Sequence, residues 1–84
     1  MKRWLITGAS RGLGRAFAEA ALQRGDKVAM TARNPESLHD LVTRFGEAAV
    51  PFSLDLSHPS EIATVFSAVL RECGHLDVLV NNAG

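Results

Sequence analysis

The chain has 84 residues, of which 46% are hydrophobic and 21% charged, a balance typical of a folded globular domain. Nine basic and nine acidic residues cancel, and the sequence has no basic stripe of the kind that indicates nucleic acid or an anionic membrane surface. The apolar run at residues 4–6 is too short for a signal peptide or a membrane span, and a single cysteine excludes an internal disulfide. Composition therefore predicts a cytoplasmic protein that partners neither nucleic acid nor membrane.

Short apolar runs alternate with longer amphipathic ones, which is the pattern of βαβ units around a parallel sheet. The first strand is predicted at residues 4–6. A helix is predicted to follow from Gly12 and to end before Gly25, which tolerates the positive φ of a helix end. Its predicted buried face consists of Leu13, Ala16, Phe17, Ala20 and Ala21. The second strand is predicted at residues 28–32.

The second predicted helix has clear end signals. Asn34 can cap its free amides, and Pro35 loses no needed hydrogen bond at the first helical position. An apolar stripe at i, i+3, i+4 and i+7 then runs to Gly46, which closes the helix. The stripe consists of Leu38, Leu41, Val42 and Phe45.

Alternating apolar residues predict a third strand over residues 50–56, with Pro51 near its start. Ser57 is predicted to cap a third helix that ends at Gly74. Its apolar stripe is formed by Ile62, Val65, Phe66, Val69 and Cys73. We therefore interpret Cys73 as a small core residue and not as a reactive thiol. A fourth buried strand is predicted at residues 76–80.

Three right-handed crossovers between these strands predict a parallel α/β sheet of order 3-2-1-4. This is the N-terminal half of a doubly wound Rossmann fold plus one further strand. Ligands of such sheets bind above the carboxyl ends of the strands, between strands one and four. Strand four would form an apolar edge, so we expect a unit of this length to be poorly stable alone.

The strongest motif lies between the first strand and the first helix, at residues 7–14, and reads Thr-Gly-Ala-Ser-Arg-Gly-Leu-Gly. Glycines here allow a tight turn and a close approach of the backbone to a pyrophosphate, and the helix N-terminus favours anions. Gly12 and Gly14 could instead serve only to pack the helix on the strand. The absence of Gly-Lys-Ser/Thr disfavours the phosphate-binding loop of nucleoside triphosphatases.

This Gly-x-x-x-Gly-x-Gly spacing, with Asp55-Leu56 after strand three and Asn-Asn-Ala-Gly at residues 81–84, resembles the short-chain dehydrogenase/reductase family. The resemblance implies that residues 1–84 are the N-terminal part of a single NAD(P)-binding Rossmann domain. It implies cofactor-binding roles for Gly8, Ser10, Arg11, Gly12, Leu13, Gly14, Asp55, Leu56, Asn82, Ala83 and Gly84, to which the end of strand two adds Arg33.

Within that set, the resemblance places the glycine turn at the pyrophosphate and adenosine side, and residues 82–84 at the nicotinamide-side ribose. Asp55 would accept a hydrogen bond from the adenine amino group, with Leu56 beside the ring. An alternative is that Asp55 is a helix-capping acid beside Ser57. Thr7 is expected to tie strand one to the Asn-Asn turn.

The end of strand two indicates which coenzyme is preferred. NAD sites usually carry an acid there for the ribose 2′-hydroxyl, whereas this chain has Ala32 and Arg33. A guanidinium binds phosphate through paired charge-assisted hydrogen bonds, and Arg11 could add a second positive charge. We therefore predict NADP(H) over NAD(H), the alternative being that Arg33 is a solvated surface residue. S-adenosylmethionine is disfavoured because its sites also normally want an acid at this position.

The family resemblance implies hydride transfer between nicotinamide and a carbonyl or alcohol substrate, by a homo-oligomer. The family's catalytic Ser, Tyr and Lys follow the Asn-Asn-Ala-Gly segment, and this chain has no tyrosine. No catalytic residue is therefore assigned within the chain, and the catalytic set is expected after Gly84. The alternative is a non-catalytic NADP-binding module or sensor. No metal is predicted, because the three histidines do not have the sequence spacing of metal ligands. They are expected on the surface and are His39, His58 and His75.

Overall fold

A computed structural model describes residues 1–82 of the chain. Within them, four strands alternate with three α-helices: β1 (Arg3–Thr7), α1 (Gly12–Gln23), β2 (Lys27–Ala32), α2 (His39–Phe45), β3 (Ala49–Ser53), α3 (Ser60–Cys73) and β4 (Val78–Asn81). Two short 3₁₀ segments, Pro35–Leu38 and Gly46–Ala48, flank α2. None of the helices in this range is long and apolar enough to cross a membrane.

The four strands form one parallel sheet in the order β3-β2-β1-β4, which confirms the predicted Rossmann-type topology. Thr7 at the end of β1 pairs with Asn81 of β4, and Ala32 at the end of β2 pairs with Ser53 of β3. The carboxyl ends of all four strands therefore meet along one edge of the sheet. The loops that follow them form one surface.

Two apolar clusters cover the two faces of the sheet, because successive strand side chains point to opposite sides. Ile6 and Met30 belong to the larger cluster, which packs against α1 and α2. Leu5 and Ala29, their neighbours along β1 and β2, pack in the smaller cluster against Val69 and Cys73 of α3. Cys73 is thus a buried core residue, as predicted.

The prediction of which residues α1 buries was largely wrong. Leu13 and Phe17 are 62% and 41% exposed, and of the predicted set only Ala21 is buried. The helix instead buries Gly14, Ala18, Ala21 and Leu22. Small residues on this face let the helix backbone approach the sheet closely, whereas the large apolar side chains of α1 lie on the adjacent face.

The start of α3 also differs from the prediction. β3 ends at Ser53 and not at Leu56, and the residue that precedes α3 is Pro59 and not Ser57. The reason is that the Ser57 hydroxyl donates to Asp55, which closes a turn before the helix begins. The helix ends at Gly74 as predicted, but two stripe residues stay partly exposed at 43% and 39%, Ile62 and Phe66.

The capping of the second helical segment was predicted correctly. The Asn34 side-chain oxygen accepts a hydrogen bond from the Glu36 amide at 3.1 Å, and Pro35 is the first residue of the segment. The segment starts as a 3₁₀ turn, however, and becomes α-helical at His39. All three histidines are exposed, as expected.

Candidate functional site

An open cleft of about 1150 Å³ lies above the carboxyl ends of β1, β2 and β3. Four separate parts of the chain meet in it: the glycine turn, the end of β2 with the following turn, the segment after β3, and the end of β4. Its lining residues are Gly8, Ser10, Arg11, Gly12, Leu13, Thr31, Ala32, Arg33, Asn34, Ser37, Leu54, Asp55, Leu56, Ser57 and Asn82.

Nine of the twelve predicted site residues line this cleft. They are Gly8, Ser10, Arg11, Gly12, Leu13, Arg33, Asp55, Leu56 and Asn82. Of the other three, Gly14 lies behind the turn, and Ala83 and Gly84 lie outside the described residues. The high exposure of Leu13 follows from its place at the cleft, since it contributes to this surface and not to the core.

The glycine turn is held to the end of β2 by Thr31. Gly8 and Gly12 have φ values of 66° and 65°, a region that L side chains rarely adopt. The Gly8 amide donates to the Thr31 hydroxyl at 3.2 Å, and the Ala9 amide donates to the Thr31 carbonyl at 2.9 Å. Sequence reasoning missed this role, for which the available signal is the single hydroxyl residue in the apolar run at residues 28–32.

Gly14 supports the turn from behind. A Cβ at this position would collide with the Gly8 carbonyl oxygen and with the Asn82 side-chain nitrogen. That nitrogen donates to the same Gly8 carbonyl at 3.2 Å. The structure therefore favours the packing interpretation for Gly14, which allows α1, the glycine turn and the end of β4 to meet.

The N-terminus of α1 opens into the cleft without a capping side chain. Arg11 precedes the helix with an extended backbone, and its side chain makes no capping hydrogen bond to the described residues. The first turn of α1 contains no acid, so its free amides and positive dipole end are not offset there. Apart from its chain neighbours and the backbone of its own helix, no described atom lies within 4 Å of the point where a Gly12 Cβ would stand. This end of the helix can therefore accept an anion.

Thr7 joins the carboxyl ends of β1 and β4, as predicted. Its hydroxyl donates to the Asn81 side-chain oxygen at 3.1 Å and accepts from the Asn82 amide at 3.1 Å. These bonds place the Asn82 side chain against the glycine turn. The end of β4 therefore forms part of the cleft wall.

Asp55 is held in a fixed orientation at the cleft. One carboxylate oxygen accepts from both the hydroxyl and the amide of Ser57, at 2.7 and 2.9 Å. His58 Nδ1 lies 3.6 Å from the other oxygen. The hydroxyl bond above all, with the amide bond and the nearby His58 and Arg33, holds the pKa of Asp55 below its usual value. Asp55 is therefore an ionised acceptor, and it closes a turn without capping α3 itself.

Two arginines line the cleft without carboxylate partners. Across residues 1–82, neither Arg11 nor Arg33 takes part in an ion pair. Both side chains are exposed. The cleft thus combines two free guanidinium groups with an uncapped helix N-terminus, an arrangement suited to a multiply charged phosphate ligand.

Sequence comparison identifies the family. A family model described as short chain dehydrogenase matches residues 2–84. The chain belongs to the short chain dehydrogenase family. It is 48% identical over 84 residues to oxidoreductase BOA17 of Botryotinia fuckeliana (strain B05.10), covering 99% of this chain and 31% of that protein. It is 40% identical over 80 residues to 3-oxoacyl-(acyl-carrier-protein) reductase FabG of Vibrio cholerae serotype O1, covering 95% and 33%. The chain thus spans about a third of the length of these curated relatives.

Solved structures agree with the family and differ in coenzyme. A short-chain dehydrogenase from Streptomyces avermitilis is 51% identical with a TM-score of 0.96, over 100% of this chain and 32% of that one. A metagenomic short-chain oxidoreductase in complex with NADP is 41% identical with a TM-score of 0.88, over 99% and 39%. A 3-ketoacyl-(acyl-carrier-protein) reductase from Brucella melitensis complexed with NADH is 34% identical with a TM-score of 0.88, over 99% and 34%. Family membership alone therefore does not decide between the two coenzymes.

Proposed function

We propose that this chain forms the coenzyme-binding part of an oxidoreductase that prefers NADP(H) to NAD(H) and transfers hydride between nicotinamide and a carbonyl or alcohol. The observation that carries the preference is that two guanidinium groups on the cleft have no carboxylate partner within residues 1–82: Arg11 in the glycine turn and Arg33 directly after the end of β2. An acid at that end would favour the ribose 2′-hydroxyl of NAD and would repel a 2′-phosphate. In its place stands Arg33, whose planar fork of donors suits a phosphate.

Different residues of the cleft would contact different parts of the coenzyme. In this proposal Gly8, Ser10, Gly12 and Leu13 line the pyrophosphate and the adenosine, and the first amides of α1 bind the pyrophosphate oxygens. Arg33 and Arg11 bind the 2′-phosphate. Asp55 accepts from the adenine amino group, with Leu56 beside the base. Asn82, with Ala83 and Gly84, contacts the nicotinamide-side ribose, and residues 1–84 belong to a single coenzyme-binding domain.

The donor set of the cleft fits such a ligand. A pyrophosphate needs converging N–H donors without a competing acid, and the uncapped first turn of α1 supplies them. An adenine amino group needs a hydrogen-bond acceptor, and the Ser57 hydrogen bonds keep Asp55 ionised, a form that only accepts. Gly14 would act indirectly, because its missing side chain lets the turn lie close against α1.

When bound, the coenzyme would supply or accept the hydride at its nicotinamide ring, while the substrate oxygen gains or loses a proton. The residues of this chain would bind and orient the coenzyme for that transfer. The 84 residues contain no tyrosine, so the proton donor that the family places on Tyr would come from outside them. The proposal also includes a carbonyl or alcohol substrate and an enzyme that acts as a homo-oligomer.

The test is the binding of NADPH and NADH to the protein and to its Arg33→Ala variant, measured by isothermal titration. Losing charge-assisted hydrogen bonds worth about 1.5–3 kcal/mol should weaken NADPH binding roughly 10- to 100-fold. NADH binding should change little, because NADH lacks the 2′-phosphate. Equal or tighter binding of NADH by the unsubstituted protein would overturn the proposed preference.

A further inference from the structure

Arg15 makes three contacts, of which two join α1 to the segment that follows β2. Its Nε donates to Glu19 Oε1 at 3.0 Å, one turn further along the same helix. Its Nη1 donates to the Ser37 carbonyl oxygen at 3.4 Å, and its Nη2 pairs with the Asp40 carboxylate. The Arg15 side chain is only 23% exposed, which limits the water that competes for these bonds.

The segment that Arg15 holds is a hydrogen-bonded unit that begins beside Arg33. The Asn34 carbonyl accepts from the Ser37 amide at 3.1 Å and from its hydroxyl at 2.7 Å. The Asn34 side chain accepts in turn from the Glu36 amide at 3.1 Å. A restraint on Ser37 is therefore also a restraint on Asn34 and on the adjoining Arg33.

Arg15 thus bridges the two walls of the cleft that carry the free arginines. It lies one helical turn after Arg11 on the glycine-turn side, and it binds Ser37, which lines the opposite side with Arg33. Two cations bind one phosphate well when they are already held at the right separation. Arg15 does not line the cleft itself, so its effect would pass through these neighbours.

We infer that Arg15 is a positioning residue for coenzyme preference, which sets the separation of Arg11 and Arg33 by clamping Ser37 and Asp40 to α1. This inference rests on the proposed function, because it concerns the 2′-phosphate that only NADP(H) carries. A loosened segment would cost NADPH one of its two cationic contacts. NADH would lose much less, since it has no group between the two arginines.

The same ion-pair network offers a matched control. Arg44 of α2 lies 3.7 Å from the second carboxylate oxygen of Glu19, but it is not hydrogen-bonded to Ser37 or Asp40 among the described residues. Arg44→Gln therefore removes one positive charge from the network and leaves the clamp in place. Arg15→Lys keeps the charge but loses the fork that binds several partners at once.

The experiment measures NADPH and NADH dissociation constants for the protein and for R15Q, R15K and R44Q, with amide hydrogen exchange over residues 34–38. We expect R15Q to weaken NADPH binding roughly five-fold and NADH binding less than about two-fold, and to speed exchange in that segment. R15K should fall between R15Q and the unsubstituted protein, and R44Q should match the unsubstituted protein. D40N serves as the second variant if R15Q unfolds, because it removes one anchor of the clamp and keeps Arg15.

The outcomes separate the two proposals. If the protein prefers NADPH but R15Q weakens both coenzymes equally, Arg15 has a structural role alone and this inference is overturned, while the proposed function stands. Unchanged exchange over residues 34–38 in R15Q also overturns it. If the unsubstituted protein binds NADPH and NADH equally, the proposed preference itself fails, and the inference fails with it.

Discussion

For the substitution Gly14→Ala, helix propensity and steric packing predict opposite changes in the free energy of unfolding. Alanine is the better helix former, by up to about 1 kcal/mol in a helix interior, so propensity alone predicts that Gly14→Ala stabilises the protein. The structure predicts the reverse, because the added methyl would collide with the Gly8 carbonyl oxygen and the Asn82 side chain. The first of these is backbone and cannot rotate away.

The size of the effect follows from what must move. Overpacking of this kind costs roughly 1–3 kcal/mol, and displacing Asn82 also removes its hydrogen bond to Gly8, worth about 1 kcal/mol. After subtraction of the propensity gain, we expect Gly14→Ala to lower the free energy of unfolding by about 1–3 kcal/mol. For a cooperative unit of about 60–100 residues that corresponds to a fall in Tm of roughly 5–20 °C, and for a larger one to a smaller fall.

The assay is thermal unfolding followed by circular dichroism, with Ala16→Gly as the control. Ala16 is exposed on the same helix, so this variant measures propensity without a clash, and it should cost about 0.5–1 kcal/mol. A Gly14→Ala protein that is as stable as the unsubstituted chain, or more stable, would refute the close-packing argument. The glycine would then have no steric role at the junction of α1, the glycine turn and β4.

Three further predictions follow from buried and oriented polar groups. Asp26 is 4% exposed and accepts from the Trp4 indole and a backbone amide, the amide bond contributing most to a pKa below the usual value. Its stabilising effect is present above the unfolded pKa of about 3.9 and is lost as the pH falls through the lower folded value, so Asp26→Asn should flatten the loss of Tm in acid titrations. Thr31→Val removes the hydroxyl that accepts from the Gly8 amide and should destabilise by about 1–2 kcal/mol in urea unfolding, whereas Thr31→Ser should retain most of the stability. The hypoxanthine analogue of NADPH presents an oxygen to Asp55 in place of the amino group, so it should bind roughly ten-fold more weakly than NADPH in titrations. Asp55→Ala should remove most of this difference in affinity. An unchanged ratio of the two affinities would refute the proposed role of this carboxylate.

The sequence was sufficient to predict the sheet and the location of the cleft. Short apolar runs separated by amphipathic ones imply parallel strands with right-handed connections. The doubly wound pattern then predicts the order β3-β2-β1-β4 that the structure shows. Asn34 and Gly74 marked helix ends correctly because capping depends on local backbone chemistry. Residues that follow the strands fell together in the cleft, since the carboxyl ends of parallel strands share an edge.

Features that depend on the distance between elements could not be predicted from the sequence. The buried face of α1 was misassigned because close helix–sheet contact selects Gly14 and Ala18, whereas hydropathy selects Phe17. The bond of the Thr31 hydroxyl to Gly8 and the bond of Arg15 to Ser37 join residues that are 23 and 22 positions apart, and no local pattern marks them. Ser57 illustrates a competing local interaction, since it satisfies Asp55 in place of a helix amide.

The most direct test of the central claim uses two ligands that differ by a single phosphate. Adenosine 2′,5′-bisphosphate and adenosine 5′-monophosphate would be titrated into the protein under identical salt conditions. With Arg11 and Arg33 free to bind the 2′-phosphate, the bisphosphate should bind roughly 10- to 100-fold more tightly, and the advantage should shrink as salt is raised. Equal affinities, or tighter binding of the monophosphate, would contradict the assignment of this cleft to NADP(H).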